Sequence, residues 1–186
     1  MQRVTAKLAV VVAIVGMLTA SAVAVGKNGA DGKDRGSSVS KSFRATLTGY
    51  EEVPAISSPA SASFKATLNR AGDRLSWRLS YRGIATPIQQ AHIHFGQPAV
   101  NGGVSAFLCS NLPGTPAGVQ ACPAPPARIS GTIRAQDVVG PAAQGIAPGE
   151  LGELVSAMRA GVTYANLHSD AFPNGEIRGQ IHGNRR

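Results

Sequence analysis

The feature that most restricts what this chain can fold into is a two-residue hydrophobic period that recurs in short runs. Phe43, Ala45 and Leu47 share one side of an extended segment, Ala62, Phe64, Ala66 and Leu68 repeat the pattern, and Leu75, Trp77, Leu79 and Tyr81 give its clearest form. Val104, Ala106 and Leu108 follow, then Ile129, Gly131 and Ile133, and finally Ile177, Gly179 and Ile181. Clusters of Gly, Pro, Asn and Asp separate the runs. Short strands that each bury one face associate by antiparallel pairing, so the expected fold is mainly β, a Greek-key antiparallel β-sandwich or barrel. The segment Asn69 to Asp73, containing Gly72, is the expected tight hairpin turn.

One segment breaks the alternation. Between Pro148 and Gly161 the apolar residues Leu151, Leu154, Val155 and Met158 follow helical spacing, with Glu150 and Glu153 early and Arg159 late. This predicts one short amphipathic helix near 149–160, oriented so that its end charges suit its dipole. Its apolar stripe needs cover, which it finds by plugging one end of the sheets or lying over an edge. Residues 120–127 and 135–148, rich in Pro, Ala and Gly, read as long loops.

The first residues read as an export signal. Arg3 and Lys7 precede the apolar run Leu8 to Leu18, and small residues follow with Ala-x-Ala sites ending at Ala22 and Ala24. The run is too short to span a bilayer, so the mature chain is expected to have no transmembrane segment. We therefore expect a signal peptide over 1–24, a flexible linker over 25–41, and one domain over 42–183. Localisation is then secreted or cell-envelope. The chain of 186 residues carries a formal charge of +8, which falls to +6 when Arg3 and Lys7 leave with the signal. Its basic residues are scattered, with Arg70, Arg74, Arg78 and Arg82 set between polar and apolar neighbours. No nucleic-acid module surrounds them, so nucleic acid is not an expected partner. A basic surface that adheres to anionic envelope polymers is, the partner being an extracellular or envelope component and the protein a monomer.

Cys109 and Cys122 are the only cysteines, and export puts them where disulfides persist. The loop between them contains Pro113, Gly114, Pro116 and Gly118. A disulfide closing it is expected to stabilise by roughly 3 kcal/mol; a two-cysteine metal site is the alternative, without a histidine nearby to complete it.

Three of the four histidines fall in strand-like surroundings. His92 and His94 stand at i, i+2 and so project to one sheet face, opposite Ala91, Ile93 and Phe95. In the later strand, Tyr164, Asn166 and His168 share a face opposite Ala165 and Leu167. If these polar faces meet, His92, His94 and His168 form a three-imidazole site suited to zinc or copper. The other reading is a hydrogen-bonded polar network, with Asp170, Glu51, Glu52 or Glu176 satisfying the ring nitrogens. No Gly-x-Ser-x-Gly elbow and no phosphate-binding glycine loop is present, and Glu51 and Glu52, adjacent in a strand, would point to opposite faces. No catalytic residue is assigned.

At these residues the chain resembles a known family. Phe43 to Pro54, Ala91 to Gly96 with Gly103 and Val104, and Tyr164 to Gln180 together look like a CHRD domain, the module named for chordin, over about residues 42–182. The resemblance implies a β-rich extracellular or envelope module, non-enzymatic, that binds or has a structural role. A weaker likeness concerns the histidines: His-x-His followed by an aromatic and glycine, with His168 further on, is similar to the copper-ligand pattern of Cu/Zn superoxide dismutase. The chain from Phe95 to Leu167 has no histidine, so that enzyme's bridging and zinc ligands are missing. The alternative function implied is a single-site copper or zinc protein, in which Arg178 is either an anion guide or a surface or salt-bridge residue.

Overall fold

The computed structural model describes residues 40–184; the signal peptide expected over 1–24, and all but the last two residues of the linker expected over 25–41, lie outside the described residues. The strands are β1 (Ser42–Thr48), β2 (Ser61–Leu68), β3 (Leu75–Arg82), β4 (Ile88–Phe95), β5 (Gly103–Ser110), β6 (Ala127–Ile133), β7 (Thr163–Ser169), β8 (Ile177–Gln180) and the short β9 (His182–Gly183). Eight of them lie in the order β5-β4-β7-β8-β1-β2-β3-β6, with β9 beside β1. Every pairing is antiparallel. An isolated bridge joins Ala106 to Val138. The side-chain amide of Gln120 donates both to the Leu108 carbonyl of β5, at 3.3 Å, and to the Ser130 carbonyl of β6, at 3.1 Å. The sheet is thereby a nearly closed eight-strand barrel, and of the two architectures expected it is the barrel that forms. β7 returns to lie outside the β4–β5 hairpin, which is the Greek-key connection.

The alternating residues meet inside. Leu47, Phe64, Leu75, Leu79, Ile93, Leu108, Ile133 and Leu167 belong to one core cluster and are almost wholly buried. Trp77 of β3 lies opposite Gly131 of β6, where a Cβ would come within 2.7 Å of the indole. The glycine in that alternating run is the space the indole needs. The helix α1 (Leu151–Ala160) buries Leu151, Leu154, Val155 and Met158 in the same cluster and ends at Gly161, whose φ of 73° only glycine adopts readily. Cys109 and Cys122 are disulfide-bonded. Among the described residues no helix is long and apolar enough to cross a membrane.

Two local expectations change. The β2–β3 connection is wider than a tight turn: Asn69 N–H donates to Arg74 O, and the Asn69 side-chain oxygen accepts from the N–H groups of Gly72, Asp73 and Arg74. One asparagine oxygen thus organises the loop, with Gly72 at φ 82°. The last alternating run also divides: β8 stops at Gln180, Ile181 enters the core, and His182 and Gly183 pair with β1 instead.

The two halves of the barrel wall differ in a way that positions the site. Along β2 and β3, inward residues are buried while those facing out are exposed or half-buried, with the same alternation in β1. In β7 every residue is buried, on both faces. Loops fold over the outer side there: Gln180 donates to Gly96 O and Gly161 O, and Glu176 accepts from Ser58.

Candidate metal centre

The alternation of β4 turns Ala91 and Ile93 into the core and His92 and His94 outward, toward the loop-covered side. β7 runs antiparallel beside it with His94 opposite Tyr164, His92 opposite Asn166 and Gln90 opposite His168. His168 therefore lies diagonal to His92, within side-chain reach. Ring centroids are 5.4 Å apart for His92 and His94, 5.2 Å for His92 and His168, and 6.3 Å for His94 and His168. One ring nitrogen from each falls within 4.8 Å of the other two. The structure thus brings together all three histidines singled out from the sequence, and buries them at 2%, 8% and 8% exposure respectively.

Backbone carbonyls orient two of the rings. His94 Nδ1 is 3.0 Å from Gly102 O, and His168 Nδ1 is 2.9 Å from Pro173 O. A carbonyl only accepts, so each Nδ1 carries the proton and each Nε2 keeps a lone pair. Both Nε2 atoms are buried and have no hydrogen-bond partner, and neither nitrogen of His92 has one. His92 packs edge-on against Phe107, centroids 4.5 Å apart. Burial, with smaller contributions from the neighbouring histidines, pushes the His92 pKa down to about 2. Burial takes His94 down to about 4, against the pull of the Gly102 carbonyl, and lowers His168 as well. All three are neutral at pH 7, the form that donates a lone pair to a metal.

A further layer fixes His94. The Tyr164 ring stacks on it at 4.7 Å and 2°, and the Arg178 guanidinium lies 3.4 Å from the other ring's centroid, that of Tyr164. Arg178 also donates to Gln97 O, Val100 O and Asn101 Oδ1, while Tyr164 Oη accepts from Gly102 N–H. The arginine therefore holds both the stack and the loop that supplies the Gly102 carbonyl. Beside it, Asn166 donates to Glu52 Oε1 at 2.7 Å. Burial raises the Glu52 pKa to about 7, although the Arg178 charge opposes the shift. Gly175, at φ 126°, leaves room for this pair: a Cβ would come within 2.7 Å of Asn166 Nδ2 and 2.8 Å of Glu52 Oε1.

The carboxylates considered as histidine partners are engaged elsewhere. Glu176 accepts from Ser58 and Ser169, Asp170 from Gln89, and Glu52 from Asn166, while Glu51 is exposed. The partners are main-chain carbonyls because the loops after β4 and β7 close over the rings. Glu51 and Glu52 do differ in direction, through a 3-10 turn at Gly49–Glu51 rather than through a strand. Arg178 is buried at 2% exposure with its guanidinium committed to loop and ring, which leaves neither a surface residue nor a free anion guide.

Compared with known proteins, residues 43–181 match the model of the CHRD domain family. No curated protein and no solved structure matches the chain.

Proposed function

The chain belongs to the CHRD domain family, and we propose that this member is an exported metal-binding protein that holds one zinc or copper ion on His92, His94 and His168. The observation that carries the reading is the set of four orphaned nitrogens: His92 Nδ1 and Nε2, His94 Nε2 and His168 Nε2 are buried without partners. Each such group costs about 1–3 kcal/mol when left unpaired. A structural polar network would connect these nitrogens, and no hydrogen bond links the rings. A metal ion satisfies one nitrogen of each ring together.

The donor chemistry narrows the metal. Three neutral imidazoles, without thiolate or carboxylate, suit zinc or copper and disfavour calcium and magnesium. Carbonyl-oriented Nδ1–H groups on His94 and His168 are the outer-sphere support that metal-binding histidines require. A metal here would supply a Lewis-acid or redox centre, one ligand short of a tetrahedral set. The nitrogens are sealed from solvent, which favours holding the ion over turning over a bulky substrate. The signal-like start and the disulfide support action outside the cytoplasm.

Titration of the metal-free mature chain with copper(II) and zinc(II) tests the proposal. The expected result is one equivalent bound more tightly than micromolar, with nitrogen hyperfine structure in the copper spectrum. His92→Ala, His94→Ala and His168→Ala should each abolish it while retaining the fold by circular dichroism. Failure to bind either metal at micromolar concentration, or equal binding by all three variants, overturns it.

A further inference from the structure

The other half of the barrel carries a different surface. On β1, β2, β3 and β6 every outward position is Ser, Thr, Lys or Arg: Ser42, Arg44, Thr46 and Thr48 on β1, then Ser61, Ser63, Lys65 and Thr67 on β2. β3 adds Ser76, Arg78, Ser80 and Arg82, and β6 adds Arg128, Ser130 and Thr132. No carboxylate, aromatic or aliphatic side chain interrupts this face. Glu51, at its rim, lines the adjoining groove beside Arg44 and Lys65.

The register makes the arrangement costly for folding alone. Arg44 lies opposite Lys65, and Lys65 lies opposite Arg78, so three cations stand in one cross-strand row. Like charges directly opposite one another destabilise a sheet, and no acidic neighbour within the four strands offsets them. Two more arginines are braced: Arg82 Nε donates to Ser61 Oγ and Arg128 Nε to Ser80 Oγ, each across one strand pair. This leaves their forked terminal nitrogens for an anion. Both arginines line a groove of about 590 Å³ with Thr46, Ser61, Ser63 and Ser80. Strand spacing sets the backbones that carry Arg44, Lys65 and Arg78 roughly 4.8 Å apart, and Ser or Thr holds the next outward position on either side along each strand.

We propose that this Ser/Thr/Arg/Lys face of β1–β2–β3–β6 is a binding surface for an acidic polysaccharide. The cations meet the polymer's carboxylate or sulfate groups, and the interleaved hydroxyls meet its sugar hydroxyls. A single-stranded nucleic acid would need aromatic platforms for its bases, and the face has none. An anionic membrane would be expected to receive a large apolar side chain as well as charge, and the exposed apolar residue of the groove, Pro126, is small. The site lies on strands that contribute no histidine to the metal centre, so the two proposals stand independently.

The test uses the mature chain and alginate, a polyuronate, with neutral dextran, single-stranded DNA and phosphatidylglycerol vesicles as separate arms. Binding is read by calorimetry at 50 and 300 mM salt. Alginate should bind at the lower salt and weaken strongly at the higher, with dextran inert and with DNA and vesicles weaker. The triple variant Arg44→Ser, Lys65→Ser, Arg78→Ser should lose roughly tenfold or more in alginate affinity. Serine already occupies outward positions of this sheet, and the pair Arg82→Ser, Arg128→Ser gives the same reading should the triple variant fail to fold. No alginate binding, tighter binding to DNA or vesicles, or affinity unchanged in both variants overturns the proposal.

Discussion

Protonating an imidazole of the triad would place a charge among groups that give it almost no acceptor, and burial already depresses the pKa of all three rings. In the unfolded chain they titrate near 6.5. Between that value and their folded values the unfolded state binds more protons, so the metal-free protein loses stability as pH falls. Glu52 acts in the opposite sense: its pKa is raised to about 7, so its contribution is present at low pH and fades as pH rises from 4.5 to 7. His92 and His94, at about 2 and about 4, outweigh Glu52, and His168 adds in the same direction, so metal-free protein should be less stable at pH 5 than at pH 7 by about 2 kcal/mol or more. Urea denaturation at the two pH values measures this, and equal midpoints would contradict it. Arg178→Lys keeps the charge but loses the forked reach to Gln97, Val100 and Asn101. Metal affinity should fall roughly ten- to hundred-fold, read by competition with a chromophoric chelator. Much of this residue-scale detail was legible. Side-chain alternation sets His92, His94 and His168 on facing strands, with Tyr164 and Asn166 beside them. The Gly102 and Pro173 carbonyls were not legible, because a main-chain acceptor leaves no mark on the residue type that carries it. Nor was the burial of Glu52 and Arg178, which follows from loops whose closure depends on the whole fold.

Among the elements, β8 shows how closely two strands can be set by one glycine. A Cβ on Gly179 would overlap the Thr46 carbonyl of β1, and the β1–β8 pairing is confined to Thr48 with Arg178. Gly179→Ala should therefore push the strands apart and destabilise by more than about 2 kcal/mol, measured by chemical denaturation. A change below 0.5 kcal/mol would show that β8 shifts freely. Strands β1 to β3 were easy to read because water covers one face and the core the other, which writes a clean period into the sequence. β7 carries a weaker signal, since loops cover its outer face and all seven residues are buried. The helix is legible from its apolar stripe and its end charges. The β2–β3 loop is wider than Gly72 alone suggests because the Asn69 side chain gathers three successive N–H groups within the loop, a local arrangement that the glycine does not signal.

Over the whole molecule, the barrel has one wet wall and one covered wall, and the two proposed sites divide between them. The residue pattern fixed neither the closure nor the choice of barrel over sandwich, because closing depends on which edge strands come together last. That edge is the seam between β5 and β6. Ladder pairing is replaced there by the isolated bridge from Ala106 to Val138, just after β6, by the backbone bonds from Val139 N–H to Ser105 O and from Ser110 N–H to Gln120 O, and by the two hydrogen bonds of the Gln120 side chain. Gln120 lies in the loop tied by the Cys109–Cys122 disulfide. A seam held by so few bonds is where the molecule breathes. Deuterium should enter the facing edges of β5 and β6 at a lower opening free energy than the β2–β3 ladder, and reducing the disulfide should widen that gap. Uniform protection across all strands would refute this. Phe107 of β5 packs on His92 outside the barrel, so each opening of this seam would loosen the cover of that ring at the same time as it wets the core, and the two walls would not move independently.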